Sequence, residues 1–432
     1  MKSKLALFQG PKIRTMPFPP HPVIGQEEKN AVLGVLDSGN LSTFVACPGE
    51  YFGGGQKIKQ FEREFAEFHG VEYAVAFNSA TAALHAAVVA CGVQPGEEVI
   101  VPPYTFTSTA TCVLMHNAIP VFADIQDDTF CLDPTAVERT ISPLTRAIIP
   151  VHLFGHPADM DNILRIACKH NLKVMEDCAQ APAALYKGRL VGTLGDCGIF
   201  SFTESKAITT GEGGMLITND AALAEVARLV RNHGEVVLEG QTSRTYRSTM
   251  LGWNYRMTEI EAALGIVQFR KLEALNQVRI ELSNYLTDRL REIEGLTAPT
   301  VYPGAKHVYY IYALKYDEAK IGIPRDLFLR ALEAEGIPFD SGYVRPLYLS
   351  PLYHDKKPLA FQHYKGNARY DKGLCPVAER MNEREIIVTQ MARPPATIDD
   401  MDDIVRAFHK ILERKRELLE GCEALAQQAA AS

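Results

Sequence analysis

From Glu72 onward the chain alternates short apolar runs with stretches whose apolar residues recur at helical spacing. The runs Tyr73–Phe77, Glu98–Val101, Ile119–Ala123, Ala147–Val151 and Lys173–Met175 predict strands, the last ending in Glu176 and Asp177. Between them, Thr81–Ala90, Ser108–His116, Pro134–Ile141 and Asp159–His170 predict helices. Apolar strands without polar alternation, separated by helices, indicate an α/β fold with a parallel sheet covered on both faces. Ligands in such sheets bind beyond the carboxyl ends of the strands. Asn78, Pro102–Phe106, His152, Asp177 and Ser201 are therefore the positions to watch.

The flanking segments read differently. Residues 1–60 are irregular, with a Pro-rich tract at Pro17–Pro22, a helix at Gln26–Leu36 and a Gly-rich loop at Phe52–Gly55. They predict an arm that wraps another surface. A helix at Ile58–Phe68 stops at Gly70. Beyond the strand–helix region come a helix at Asp220–Arg231, a polar loop to about Met250 and a helical stretch from Thr258. A long helix, Asn276–Glu292, leads to a second, smaller unit with strands at Val308–Leu314 and Ile386–Thr389 and helices at Arg325–Glu335 and Ile398–Leu419. Met401, Ile404, Val405, Phe408, Ile411 and Leu412 form one apolar face of the last helix. The small-residue tail Ala424–Ser432 predicts fraying, and the expected division is 1–60, 61–275 and 276–432.

Composition narrows the class. A chain of 432 residues exceeds one ordinary core, and 47% hydrophobic with 22% charged residues suits a globular enzyme. A net charge of −7 without a basic run argues against nucleic acid or an anionic membrane as partner. Nine cysteines without CxxC spacing suggest free thiols in a reducing compartment and read as small buried hydrophobes, Cys178 included. No apolar run is long enough to span a bilayer and no signal peptide is evident, so the expectation is a cytoplasmic protein.

Four stretches carry candidate chemistry. Gly198–Gly214, GIFSFTESKAITTGEGG, runs from an apolar strand into a polar turn with one lysine, Lys206, and closes on Gly211, Gly213 and Gly214. Partial desolvation at a strand end makes an amine a usable nucleophile toward a carbonyl; the competing reading is a solvated lysine on a glycine turn. NSATAAL, Asn78–Leu84, turns a strand directly into a helix, so the amides and hydroxyls at Ser79, Ala80, Thr81 and Ala82 suit either a phosphate or a plain N-cap. KVMEDCAQA ends an apolar strand in Asp177, either a capping carboxylate or the partner of a pyridinium nitrogen, as pyridoxal phosphate requires. PPYTFTST offers Tyr104 or Phe106 for stacking on a flat ring, or simply as core. His152 reads equally as a pocket residue or a hydrogen-bonded structural histidine.

Taken in order, NSATAALHAA, VPPYTFTSTA, IIPVHLFGHPADMD, VMEDCAQAPAALYKGRLVGTLGD, FSFTESKAITTGEGGMLITND and GWNYRMTEIEAALGIVQFRKLE resemble the sugar aminotransferases of the DegT/DnrJ/EryC1/StrS group. The resemblance is strong from Gln56 to Leu272 and looser to about Leu412. It implies the aspartate-aminotransferase fold (fold type I), with a mostly parallel central sheet and a smaller C-terminal α+β domain, and pyridoxal 5′-phosphate as cofactor. Position by position it implies that Lys206 is the Schiff-base lysine, Asp177 pairs with the pyridine nitrogen and Gln180 approaches the ring oxygen. Phe106 would stack on the ring, and Ala80, Thr81, Ala82 and Ser201 would hold the phosphate. Asn254, in the NYR motif, would reach the cofactor phosphate of a neighbouring subunit, which implies a homodimer.

The chain departs from the group in two places. SFTESK stands where SFHxxK is common, and Ala80 where glycine is frequent. Retention of Lys206 argues against the dehydratases of the group. The implied reaction moves an amine from glutamate or glutamine to a ketone of a cyclitol or a nucleotide-linked sugar; LALFQGPKIRT and RPLYLSPLYHD favour the cyclitol branch. Lys306 and Arg345 are basic residues that suit a carboxylate or a phosphate. A lyase on the same fold and a non-catalytic regulatory member are the competing readings.

Overall fold

The computed structural model describes residues 4–431 except 45–48, 50, 239, 244–245 and 363. After helices α1 (Gln26–Ser38) and α2 (Gln56–His69), the strand–helix alternation runs as β1 (Tyr73–Phe77), α3 (Ala80–Ala90), β2 (Glu98–Val101), α4 (Ser108–Met115), β3 (Ile119–Phe122), α5 (Pro134–Thr140), β4 (Thr145–Ile148), α6 (Met160–His170) and β5 (Lys173–Asp177). A two-residue hairpin, β6 (Leu185–Tyr186) and β7 (Arg189–Leu190), precedes β8 (Cys197–Ser201) and β9 (Gly214–Thr218). Then come α7 (Ala221–Arg231), α8 (Glu259–Arg270) and α9 (Leu272–Leu290).

The central sheet has seven strands in the order β1-β9-β8-β5-β4-β2-β3. Five of them pair in parallel, from β8 across to β3, and their continuous apolar runs are buried on both faces. Strand β9 is the exception and runs antiparallel to both β1 and β8. The segment between β8 and β9 holds no crossover helix, so the chain must return in the opposite direction. That return loop carries Lys206.

The rest of the chain is β10 (Leu296–Thr297), β11 (Ala305–Lys306), β12 (Tyr312–Tyr316), α10 (Glu318–Ile321), α11 (Arg325–Ala334), α12 (Pro351–His354), α13 (Pro376–Arg380), β13 (Ile386–Thr389), α14 (Ile398–Glu413) and α15 (Lys415–Ala431). Strands β10, β12 and β13 form a second, antiparallel sheet. Two hydrophobic clusters result. One surrounds the seven-stranded sheet; the other joins Leu282, Leu286 and Leu290 of α9 to α11, α14 and Leu5 of the N-terminal arm. Helix α9 serves both, since its Leu272 belongs to the first cluster.

Three expectations need correction. The apolar run at Val308–Leu314 enters β12 only at Tyr312, because the amides of Val308 and Ile311 bond to the carbonyls of Gly155 and Phe154 instead of a strand. Gly155 permits this approach: a side chain there would meet Tyr309 N at 2.9 Å. The tail is helical in α15 rather than frayed from Ala424. Among the cysteines, Cys168 is exposed and Cys91 and Cys422 are half-buried, because they sit at helix ends or on outer helix faces; Cys47 lies outside the described residues. Among the described residues no helix is long and apolar enough to cross a membrane.

Candidate active site

The carboxyl ends of β1, β5 and β8, with the loop after β2, surround a cavity of about 480 Å³. Ala80, Thr81, Phe106, Asp177, Gln180, Ser201 and Lys206 all line it, joined by Tyr310 and Tyr343 from the second half of the chain. A larger and more open hollow of about 680 Å³ lies elsewhere, at Asp127, Lys315 and Arg380. Its lysine and Arg380 are already paired with Asp127, so size alone does not mark the site. Convergence of titratable groups does.

Asp177 closes β5 and is buried. Thr109 Oγ1 donates to one carboxylate oxygen at 2.8 Å and the Ala179 amide to the other at 3.1 Å. Burial pushes its pKa up, while those two hydrogen bonds and the Lys206 charge pull it down. The result is an oriented carboxylate in a dry wall, with capacity left for a cation.

The residue before it faces the opposite way, as alternation along a strand requires. Glu176 accepts the amides of Gly192, Leu194 and Gly195 at 2.8, 2.7 and 2.7 Å and the His152 ring at 2.9 Å. The Ala158 amide donates to His152 Nδ1 at 3.0 Å, which leaves Nε2 as the N–H that serves Glu176. His152 is therefore a structural histidine outside the cavity.

Lys206 sits on the return loop and is 7% exposed. Its amide donates to Thr203 O at 3.0 Å, and its Nζ lies 4.3 Å from the centre of the Tyr310 ring. Burial alone would raise the Tyr310 hydroxyl, but Lys206, a hydrogen bond with Ser205 and the charge of Arg393 bring it below its ordinary value. Tyr310 and Ser205 hydroxyls are 3.1 Å apart.

The opposite wall is the start of α3. Ser79 caps the helix by accepting the Ala82 amide at 3.1 Å, so Ala82 is buried behind the cavity with its N–H engaged. Thr81 Oγ1 and Ser108 Oγ are 2.6 Å apart, and Ser201 ends β8 beside them. Gly214 lets β9 pass this helix end: a side chain there would meet Ala80 N at 2.6 Å. Gln180 Oε1 accepts the Phe154 amide at 2.7 Å, which fixes the side chain and turns its amide nitrogen toward the Tyr343 hydroxyl. Phe106 is 56% exposed and sits at the cavity mouth. Tyr104 is fully buried, and its hydroxyl accepts the Tyr343 amide at 2.8 Å. Asn254 is exposed and outside the cavity; its carbonyl accepts from Asn78 Nδ2 at 3.4 Å.

A model of the DegT/DnrJ/EryC1/StrS aminotransferase family matches residues 24–407. The chain belongs to that family. It is 36% identical over 432 residues to the L-glutamine:scyllo-inosose aminotransferase of Streptomyces griseus, covering 97% of this chain and 100% of that protein. It is 38% identical over 333 residues to the GDP-perosamine synthase of Caulobacter vibrioides, with 77% and 85% covered. In structure it resembles the aminotransferase from Psychrobacter cryohalolentis, with a TM-score of 0.82, 33% identity, and 92% of this chain and 99% of that one covered. The chain thus has the fold of the type I aminotransferases, and membership of the family implies dependence on pyridoxal phosphate.

In this aminotransferase the sequence motifs missed four residues around the cavity. Thr109 lies within the PPYTFTST motif but was not assigned to Asp177. Tyr343 and Tyr310 lie more than a hundred residues beyond Lys206, in runs that read as strand or loop. His21 belongs to the arm, yet its Nε2 lies 3.1 Å from Lys206 O and its Nδ1 3.3 Å from Pro394 O. No local pattern signals these contacts, which exist only once the second half of the chain and the arm fold onto the sheet.

Proposed function

We propose that the cavity binds pyridoxal phosphate and moves an amino group from glutamine or glutamate to a ketone of a cyclitol or sugar. The observation that carries this reading is the joint presence, in one cavity, of a buried oriented carboxylate, a buried lysine and an open helix N-terminus flanked by two hydroxyls. The donor set fits the cofactor group by group. The α3 terminus with Thr81 and Ser201 suits a phosphate. Asp177, whose burial disfavours a bare charge, suits a protonated ring nitrogen. When bound, the cofactor supplies a carbonyl for an amine to condense with and a cationic ring that takes up electrons.

In this reading the chain's own residues divide the work. Asp177 keeps a proton on the facing ring nitrogen. Gln180, whose amide also faces Tyr343, would offer an N–H to an oxygen substituent of the ring, and Phe106 at the mouth would cover it. Lys206 Nζ would be the amine that holds the cofactor and the group that takes up and returns a proton. The neighbouring Tyr310 face and hydroxyl hold that amine in place. Asn254, exposed and clear of its own cavity, serves the cavity of a second copy, which makes the working unit a homodimer with the division near residue 275 retained in each chain. The named activities of the Streptomyces griseus and Caulobacter vibrioides relatives favour glutamine as donor and a cyclitol or nucleotide-linked ketone as acceptor. A regulatory role is disfavoured by the retention of Lys206 and Asp177, and a lyase by the aminotransferase activities named for the relatives.

The test is a visible spectrum of the purified, cofactor-loaded protein before and after glutamine or glutamate, with no acceptor present. Loss of the absorption of the lysine-linked cofactor supports amino transfer. A protein that takes up no pyridoxal phosphate overturns the reading.

A further inference from the structure

Strand β2 ends at Val101, and the segment after it runs through Pro102–Thr107 into the first turn of α4. Thr105, Phe106, Ser108 and Thr109 of this segment all line the Lys206 cavity. Thr105 and Thr109 are each 1% exposed. A buried hydroxyl has one proton to give and needs a partner for it. The Thr109 proton goes to Asp177 Oδ2 at 2.8 Å, because an ionised carboxylate only accepts. Thr109 Oγ1 is then left to accept from Thr105 Oγ1 at 3.3 Å, which fixes the order of donation as Thr105 to Thr109 to Asp177. The backbone of Thr109 is engaged as well: its amide donates to the Phe106 carbonyl at 3.2 Å and its carbonyl accepts from Cys112 Sγ at 3.3 Å. The hydroxyl is therefore held on a fixed piece of chain.

The two contacts of Asp177 differ in kind. Its Oδ1 is served by a backbone amide, that of Ala179, which no substitution at one side chain removes. Its Oδ2 depends on a single hydroxyl. Burial disfavours the charge on Asp177, and the Thr109 hydrogen bond is the largest of the effects that restore it, ahead of the Ala179 amide and the charges of Lys206 and His152. The other titratable groups that face Asp177 are Cys112, Cys178 and Tyr343, each pushed up by burial and so neutral at ordinary pH. Ser108, the residue before Thr109, turns to the opposite wall, where its hydroxyl lies 2.6 Å from Thr81 Oγ1 at the start of α3. Adjacent residues of one helical turn thus reach both ends of the cavity.

We propose that Thr109, backed by Thr105, is the positioning residue of Asp177, the donor that holds this buried carboxylate toward the ring nitrogen of the bound cofactor. The inference rests on the aminotransferase reading of the Lys206 cavity. Because its one proton is given to Asp177, Thr109 acts through that carboxylate. Without this donor the dry wall favours the neutral acid, which interacts far more weakly with a ring cation. A methyl group in place of the hydroxyl fills the same space but supplies no proton, so hydrogen bonding and packing can be read apart.

Pyridoxal 5′-phosphate is titrated into cofactor-free wild type, Thr109→Val and Thr109→Ser, and the dissociation constant is read from the absorbance of the lysine-linked form. Thr109→Val keeps the volume and loses the proton, and is expected to weaken binding about 10-fold or more. Thr109→Ser keeps the proton and loses a methyl group, and is expected to stay within about threefold of wild type. The reverse order marks a packing role and overturns the proposal, as does equal binding by all three. Thr105→Val is expected to fall between, and to add nothing to Thr109→Val, because it acts only through Thr109. Additive losses overturn the order of donation. The titration is repeated with 1-deazapyridoxal phosphate, in which carbon replaces the ring nitrogen. There the gap between wild type and Thr109→Val should shrink to about twofold or less. A gap that persists assigns Thr109 to the shape of the site and overturns its action through Asp177. Should Thr109→Val fail to fold, Thr105→Val carries the same comparison between the two cofactors. A wild type that binds the cofactor without any contrast between valine and serine overturns this proposal alone; one that takes up no cofactor overturns the aminotransferase reading and this proposal with it.

Discussion

Two buried polar clusters meet at the end of β5, one residue apart, and they are built to opposite rules. On one side, Glu176 and His152 are closed: four donors reach the carboxylate and both ring nitrogens are used. His152, Glu176 and Cys178 also lie close enough together to suggest a metal site, but those hydrogen bonds already account for the imidazole and the carboxylate. On the other side, Asp177 receives two hydrogen bonds and retains capacity, and Lys206 rests on a ring face. The difference separates a polar cluster that holds loops to the sheet from one that is completed by what it binds. Saturation, rather than burial or charge, distinguishes them.

Mutations sharpen that contrast. Lys206→Ala is expected to lower amino transfer by about 10³-fold or more, with the circular dichroism and melting temperature of the fold retained. If that variant still shows the lysine-linked absorption band, the reactive lysine is another one. Glu176→Ala, on the closed side, is expected to cost about 3–5 kcal/mol of stability in denaturant unfolding, because it strands three amides and a histidine. A cost under about 1 kcal/mol would erase the distinction drawn here. Asp177→Asn is expected to lower the rate of the donor reaction by roughly 10²-fold, the equivalent of about 3 kcal/mol for an uncompensated ring cation. Its melting temperature without cofactor should change little at neutral pH, since the native carboxylate is itself held at a raised pKa by burial.

Acid unfolding gives the most distributed effect. His21, His69, His85 and His156 are each lowered to about 4, chiefly by burial. A depressed histidine binds its proton more readily when unfolded, so its neutral form favours folding above about 6.5, and that margin is lost as pH falls toward 4. Each contributes a slope of about 1.4 kcal/mol per pH unit in that window. His69→Phe removes one such proton without losing the ring stack against Phe65, so a shallower acid limb is expected. An unchanged slope would show that His69 is protonated in the fold.

Several strand positions were legible because they depend on neighbours in sequence: Tyr73–Phe77, Glu98–Val101 and Ile386–Thr389 coincide with β1, β2 and β13. The bounds of α3, α7 and α11 fell within a residue of expectation for the same reason, since caps at Ser79 and Asp220 and the Pro324 start are local signals. Motifs placed at strand ends likewise brought Thr81, Asp177, Ser201 and Lys206 to one wall system, because a doubly covered sheet aligns those ends. The antiparallel turn of β9 and the late start of β12 were not legible. Both depend on where distant backbone becomes available for hydrogen bonding.

By itself, then, the order of apolar runs and polar turns determined a parallel α/β core, its ligand-facing edge and the lysine and aspartate to suspect there. The tertiary structure decided which side of β5 is closed and which is open, which His152 alone could not reveal. It also decided what stands against Lys206: Tyr310 and His21, drawn from both ends of the chain. Those contacts span hundreds of residues and carry no periodicity, so their meaning arises only from the packing of the second core and the arm against the sheet.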